Sequence, residues 1–290
     1  MSDLLQNRTG SLLSGRTAVI TGAASGMGAA TAHLYAAHGA SIVVADYNEE
    51  RAENAVRLIN GDKDVIAAGG SAVFFGRTDI TSSASIRAMV AKTIEKYGKI
   101  DILATFAGRT FDGDDLSARE NFDKTVESNL WGTYDTVNAV VPHMKERKSG
   151  SIIICSSNGA LNPTTPAYAY HMAKAGCESL TVNLAMELAP LGIRVNCLKP
   201  GPIKTSFWDE LGDKDEIDVL LDGIAGFEVP LGRIGTADDI AGPCLWLASE
   251  LSSFITGLCL YVGGGIGYIY SHSQSFLLGK TPTGNPGEGK

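Results

Sequence analysis

Residues Thr17 to Gly28 read TAVITGAASGMG: a short apolar run that breaks into three glycines spaced G-x-x-x-G-x-G and continues into a helix-like stretch, Gly26–His38. Strand, glycine turn and helix in that order make a cradle for phosphate. Glycines let the backbone turn sharply, and they bring bare N–H groups to an anion at the helix N-terminus. The spacing alone is weak, since a chain with 34 glycines in 290 residues produces it by chance about 0.5 times. Its context is what counts. A second apolar run, Ser41–Asp46 (SIVVAD), ends in an acid placed to accept hydrogen bonds from the two hydroxyls of an adenosine ribose.

Working outward, the same alternation continues along the chain. Ala72–Phe75, Ile100–Thr105, Ser151–Cys155, Ile193–Leu198 and Gly257–Val262 read as further strands, most of them apolar throughout, the pattern of strands covered on both faces. Between them lie helix-length stretches at Ser83–Tyr97, Arg119–Lys145, Ala167–Leu191 and Ala237–Ser249. The alternation predicts an α/β fold: a doubly wound (Rossmann) parallel sheet of seven strands with helices on both faces, in three α/β/α layers. Residues 1–266 are expected to form one domain, with the acidic stretch Ser206–Gly232 as a loop-like substrate lid. Residues 267–290 form an extension whose last ten, TPTGNPGEGK, have a disordered composition.

Composition excludes several classes. The 24 Lys and Arg against 32 Asp and Glu give −8, a poor balance for neutralising a nucleic-acid backbone or an anionic membrane. Five single cysteines and five histidines without ligand spacing point to neither a disulfide framework nor a metal site. No apolar run suits a signal peptide or a membrane span, so a cytoplasmic location is expected.

A second constellation is Ser157, Tyr170 and Lys174. Four residues apart on a helix, Tyr170 and Lys174 share a face. A phenol ordinarily titrates near 10, too high for a base at neutral pH, and an adjacent ammonium favours its anion. Ser157 follows the fifth strand, where its hydroxyl can return to the same substrate oxygen. At the other end, a 2′-phosphate would face the Asp46 carboxylate, and neither the glycine loop nor the residue after Asp46 is basic. Like charges at ~4 Å and an effective dielectric near 20 repel by about 4 kcal/mol at most, which favours NAD(H). A preference of at least about a hundredfold in kcat/KM is expected, a ratio that corresponds to roughly 2.8 kcal/mol.

Taken together these residues resemble the short-chain dehydrogenase/reductase family over roughly Leu13 to Gly265. Thr21–Gly28 matches its TGxxxGxG loop, so Gly22, Ser25, Gly26, Met27 and Gly28 are expected at the cofactor. Asp46 matches its ribose-binding acid, Asp79 and Ile80 its adenine-contacting pair, and Ala107 and Gly108 the end of its Asn-Asn-Ala-Gly segment. Pro200, Ile203 and Thr205 match the segment that cradles the nicotinamide. The resemblance implies a catalytic tetrad: Tyr170 exchanges the substrate proton and Ser157 orients the substrate oxygen. Lys174 assists Tyr170 and holds the nicotinamide ribose, while Asn129 anchors a water leading to solvent. It also implies a homotetramer built on the two long helices.

Two positions depart from the family. Phe106 stands where an asparagine is usual, and Val262 where an aspartate precedes the final glycines. The expected reaction is hydride exchange between NAD(H) and a secondary alcohol or its ketone. A catalytically silent NAD(H)-binding scaffold is the alternative, and an epimerase or dehydratase, which usually needs a larger substrate domain, ranks below it. Phe207, Trp208, Leu211, Leu161 and Pro163 suggest an apolar lining suited to a cyclic, aryl-alkyl or diol substrate, and the lid's acids argue against an anionic carrier. The segment Gly265–Leu278 is apolar enough to pack on a neighbouring subunit.

Overall fold

The computed structural model of the chain describes residues 11–111, 118–162, 167–205 and 213–266. Its strands are β1 (Thr17–Thr21), β2 (Ser41–Ala45), β3 (Ser71–Phe74), β4 (Ile102–Thr105), β5 (Gly150–Cys155), β6 (Ile193–Pro200) and β7 (Cys259–Val262). They pair in parallel in the order β3-β2-β1-β4-β5-β6-β7. The order reverses between β1 and β4, so the loops leaving these two strands diverge and open a crevice at their carboxyl ends.

Adjacent residues of a strand face opposite sides, which explains the unbroken apolar runs. Ile20, Val44 and Ile153 enter one core with α1 (Gly26–Ala37) and α9 (Ala237–Ala248), where Tyr35, Ile240 and Leu247 are buried. Val19, Val43, Ile152 and Ile154 enter the other, with α4 (Ser83–Tyr97), α6 (Gly132–Arg147) and α7 (Tyr168–Leu188), through Val90, Val140, Met144, Cys177 and Leu188. Two helices absent from the expected set, α2 (Glu49–Gly61) and α3 (Lys63–Ala68), also pack on the first core, through Ala52, Ile59 and Val65.

Three expectations need correction. Ser206–Gly232 is not loop-like throughout: Lys214–Phe227 is a helix, α8, capped by Asp213, whose carboxylate accepts from the Asp215 N–H. Its Ile217 and Leu221 are buried one turn apart, a stripe that the surrounding acids obscure. Arg119–Lys145 is not one helix: α5 (Ala118–Val126) passes through a π turn, Glu127–Trp131, before α6. Asp46 does not end β2, which stops at Ala45, so the acid lies in the turn beyond. The tail from Gly267, and with it most of the segment expected on a neighbouring subunit, lies outside the described residues, as do Pro163, Phe207, Trp208 and Leu211.

Candidate active site

The glycine loop is fixed by contacts that leave no room for a side chain. Gly22 has φ 69°, and a Cβ there would lie 2.7 Å from the Ala107 nitrogen. A Cβ on Gly28 would lie 2.2 Å from the Gly22 oxygen. The loop therefore rests on the Phe106–Ala107 backbone, and Gly26 comes so close to Thr205 that a Cβ would be 3.3 Å from the threonine Cβ. The first turn of α1 holds no acid, and its N-cap, Ser25, makes no side-chain capping bond. A helix start with open N–H groups, the positive end of a dipole and a glycine cradle fits a pyrophosphate. Met27 packs partly buried on the first core.

At the ribose end, Asp46 Oδ2 accepts from the Ala24 N–H at 3.0 Å and Oδ1 from the Asn48 N–H at 3.0 Å. Helix α2 is capped by Asn48, which accepts from the Arg51 N–H, so the acid is not spent as a cap. The Thr78 N–H donates to the Asp46 carbonyl at 2.7 Å and ties the turn after β3 to this corner. Asp79 Oδ1 accepts from both the N–H and the hydroxyl of Thr81, and Ile80 lies against Gly132 of α6. Neither the glycine loop nor the residue after Asp46 is basic, yet the fold brings a cation to this corner. The Arg77 guanidinium lies over the Tyr47 ring at 3.7 Å from its centroid.

Toward the middle of the sheet, Lys174 is buried, and its ammonium donates to the Cys155 carbonyl at 3.0 Å. The same nitrogen lies 5.6 Å from the Tyr170 ring centroid. Burial opposes its charge, but the Tyr170 oxygen and the thiols of Cys155, Cys177 and Cys197 outweigh that cost and hold Lys174 above the ordinary lysine range. A Cβ on Gly108 would meet Asn129 Oδ1 at 2.4 Å and Lys174 Nζ at 3.7 Å, so these three residues share one small space.

Asn129 sits in the π turn, where such turns often mark functional sites. Its side-chain nitrogen donates to the carbonyls of Arg109 at 2.7 Å and Thr125 at 2.9 Å, and its main-chain carbonyl accepts from the Thr133 hydroxyl at 2.9 Å. Its Oδ1 is buried with no hydrogen-bond partner among the described residues. A buried acceptor without a protein partner suits a bridging water or a ligand group.

Ser157 Oγ accepts from the Gly159 N–H at 3.1 Å and starts the turn Asn158–Ala160. This leaves the hydroxyl its own hydrogen to donate. Beside it lies His171, the neighbour of Tyr170 on α7. A Cβ on Gly159 would lie 2.6 Å from His171 Nε2 and 3.5 Å from Ser157 Oγ, and the Tyr170 and His171 rings stand edge-on at 5.9 Å. Leu161 is exposed.

Beneath the tetrad runs a buried polar chain. The Ser156 hydroxyl lies 2.9 Å from the Lys174 carbonyl and 3.1 Å from Glu178 Oε1, and Lys199 Nζ donates to Glu178 Oε2 at 3.1 Å. It joins the ends of β5 and β6 to α7. The one sequence sign of it is a lysine inside an apolar strand. The Gly201 N–H donates to the Val262 carbonyl at 2.9 Å, so the main chain makes a contact at the position where the aspartate is missing. Ile203 pairs with Gly235 and buries its side chain in the first core. Phe106 packs on the same core while its N–H donates to the Thr21 carbonyl at 3.0 Å.

A doubly wound sheet with a glycine cradle at its switch point defines the class: a protein built to take a nucleotide at the carboxyl ends of its strands. Among known families, the one described as enoyl-(acyl carrier protein) reductase matches residues 22–267. The chain is 40% identical over 253 residues to the (2S)-[(R)-hydroxy(phenyl)methyl]succinyl-CoA dehydrogenase subunit BbsD of Thauera aromatica, covering 86% of this chain and 96% of that protein. It is 35% identical to the 3-oxoacyl-[acyl-carrier-protein] reductase FabG of Chlamydia pneumoniae, covering 88% and 98%. Of solved structures, a 7α-hydroxysteroid dehydrogenase complexed with NADH and 7-oxo glycochenodeoxycholic acid superposes with a TM-score of 0.78 at 32% identity, covering 88% and 95%. The chain belongs to the short-chain dehydrogenase/reductase family.

Proposed function

We propose that the chain interconverts a secondary alcohol and its ketone with NAD(H). The observation that carries this reading is the buried Lys174 ammonium, set between the Tyr170 ring and the pocket that Gly108 leaves open beside Asn129. A bound nicotinamide supplies or accepts the hydride; the chain supplies position and protons. The Ser157 hydroxyl hydrogen-bonds the substrate oxygen. The Tyr170 phenol gives that oxygen a proton in reduction and takes one in oxidation. Lys174 keeps its positive charge beside the phenol. The free Oδ1 of Asn129 anchors the water through which the proton reaches solvent. Asp46 accepts from the ribose hydroxyls and repels a 2′-phosphate, which favours NAD(H) over NADP(H).

The substrate class rests on the relatives' names, one of which also carries the CoA thioester that the lid's acids were expected to disfavour. BbsD is named for a carbon bearing both hydroxyl and phenyl, and the bound steroid of the solved structure carries a 7-oxo group. An alcohol flanked by an apolar ring suits both. The test is a panel of aryl-alkyl alcohols, cyclohexanols, dihydrodiols, steroids, sugars and their ketones, followed by NADH absorbance. Turnover of an aryl-alkyl or cyclic pair above the sugars is expected; turnover of none in either direction overturns the proposal. The exposed Tyr168, Met172, Val182 and Met186 of α7, with Trp131 and Tyr134, form an apolar face that we assign to a homotetramer. A monomer by light scattering at micromolar concentration overturns that assignment.

A further inference from the structure

Arg77 reaches the adenosine end of the cleft from a distant stretch of sequence. It follows Gly76, whose φ of 100° turns the chain after β3, and it stacks on Tyr47, the residue next to Asp46. Backbone bonds hold both halves of this platform: the Thr78 N–H to the Asp46 carbonyl at 2.7 Å, and the Arg77 N–H to Glu49 Oε1 at 3.3 Å. Both side chains are exposed, Tyr47 by 58%. Among the described residues the guanidinium meets no carboxylate within ion-pair distance, and its N–H groups have no hydrogen-bond partner. A guanidinium stacked on a ring keeps its donors in the plane, pointing outward, and that fork matches two oxygens of a phosphate.

The acids at this corner include Asp46, Glu49 and Asp79, the last of which spends one oxygen on Thr81. Each Asp46 oxygen already accepts a backbone N–H, which offsets part of its charge. Glu49 spends one oxygen on the Arg77 backbone. We propose that Arg77, held on Tyr47, is a specificity-determining residue that pairs with the 2′-phosphate of NADP(H), making NADP(H) a usable second cofactor. Asp46 still favours NAD(H), but Arg77 narrows the expected hundredfold preference to about tenfold, one 1.4 kcal/mol step. This rests on the proposed reading that Asp46 lies at the adenosine ribose.

The test is calorimetric titration of the native chain, Arg77→Ala, Arg77→Lys and Tyr47→Ala with NADH and with NADPH, at low and high salt. The native chain is expected to bind NADPH about tenfold more weakly than NADH. Arg77→Ala should weaken NADPH by a further tenfold or so while NADH stays within about twofold. Arg77→Lys, a point charge without the fork, should fall between, and Tyr47→Ala should lose part of the same selectivity. Salt should weaken NADPH binding more than NADH binding in the native chain and less in Arg77→Ala, where only the repulsion from Asp46 is left to screen. Unchanged NADPH binding in Arg77→Ala, or an equal loss for both dinucleotides at an unchanged melting temperature, overturns the role of Arg77 alone. Failure of the native chain to bind either dinucleotide overturns the cofactor reading beneath it.

Discussion

Where the strands begin, Asp101 is buried and fully engaged. It accepts from the Thr17 N–H at 2.8 Å and the Arg147 guanidinium at 2.8 Å, with Lys99 Nζ at 3.0 Å. Where the strands end, groups are left with capacity to spare: Asn129 Oδ1 without a partner, the Ser157 hydrogen, the open N–H groups of α1 and the Arg77 fork. A cavity of about 500 Å³ does open at the first edge, among Arg16, Asp101, Arg194 and Phe254, but its charges are already paired with one another or held by the backbone. Volume alone does not mark a site. The contrast teaches that satisfied polar groups hold a fold, whereas incompletely satisfied ones show where a second molecule completes it.

If the contrast is real, changes at the two edges should fail in different ways. The largest effect is expected at Tyr170→Phe, which removes only the proton donor. Turnover should fall roughly 10³-fold while NADH affinity and melting temperature hold, as calorimetry and steady-state assays would read. Activity within tenfold of native would break the comparison at its functional end.

Asp101→Asn should do the reverse. It leaves Arg147 and Lys99 without their countercharge and should cost about 3 kcal/mol in denaturant unfolding, with little change in turnover per folded molecule. Burial works against the Asp101 charge, but the Thr17 N–H, Arg147 and Lys99 outweigh it and hold the carboxyl below its usual range. Its contribution is therefore present above the unfolded value near 3.9 and is lost as pH falls through the lower folded value. The gap between native and Asp101→Asn should accordingly close on acidification.

Lys199→Met lies between the two types. It strands Glu178, which at 16% side-chain exposure retains some contact with water, so a loss of about 2 kcal/mol is expected. Because Ser156 ties Glu178 to the Lys174 backbone, the pH profile of turnover should also move, and Lys199→Arg should restore it. The smallest effect belongs to α8. A Cβ on Gly223 meets nothing within 4 Å, so Gly223→Ala should raise stability by roughly 0.5–1 kcal/mol in the same unfolding assay.

Much of the scaffold was legible because burial on both faces imposes continuous apolar runs. The bounds of β1 and α4 agree residue for residue, and the other strands differ by one or two. What escaped did so for physical reasons. In α8 the acids outnumber the apolar stripe of Ile217, Leu221 and Ile224, so the periodicity is drowned. The platform of Arg77 and Tyr47 joins residues that only the pairing of β2 with β3 brings together. The tetrad's residue types could be read from motifs, but the closeness of Asn129, Gly108 and Lys174 depends on the π turn, whose widened hydrogen bonding has no residue signature of its own.

That turn has a consequence for chain length. A π turn holds one residue more than an α-helical path needs, so the segment Glu127–Trp131 contains a built-in surplus. Deleting one residue there should leave a continuous, well-formed helix from α5 into α6 and a folded protein. The flanking segments would keep their faces, while the residues of the turn itself would shift, carrying Asn129 off Gly108. Here an insertion serves as a gear: a loss of one residue that the fold tolerates would disengage the site.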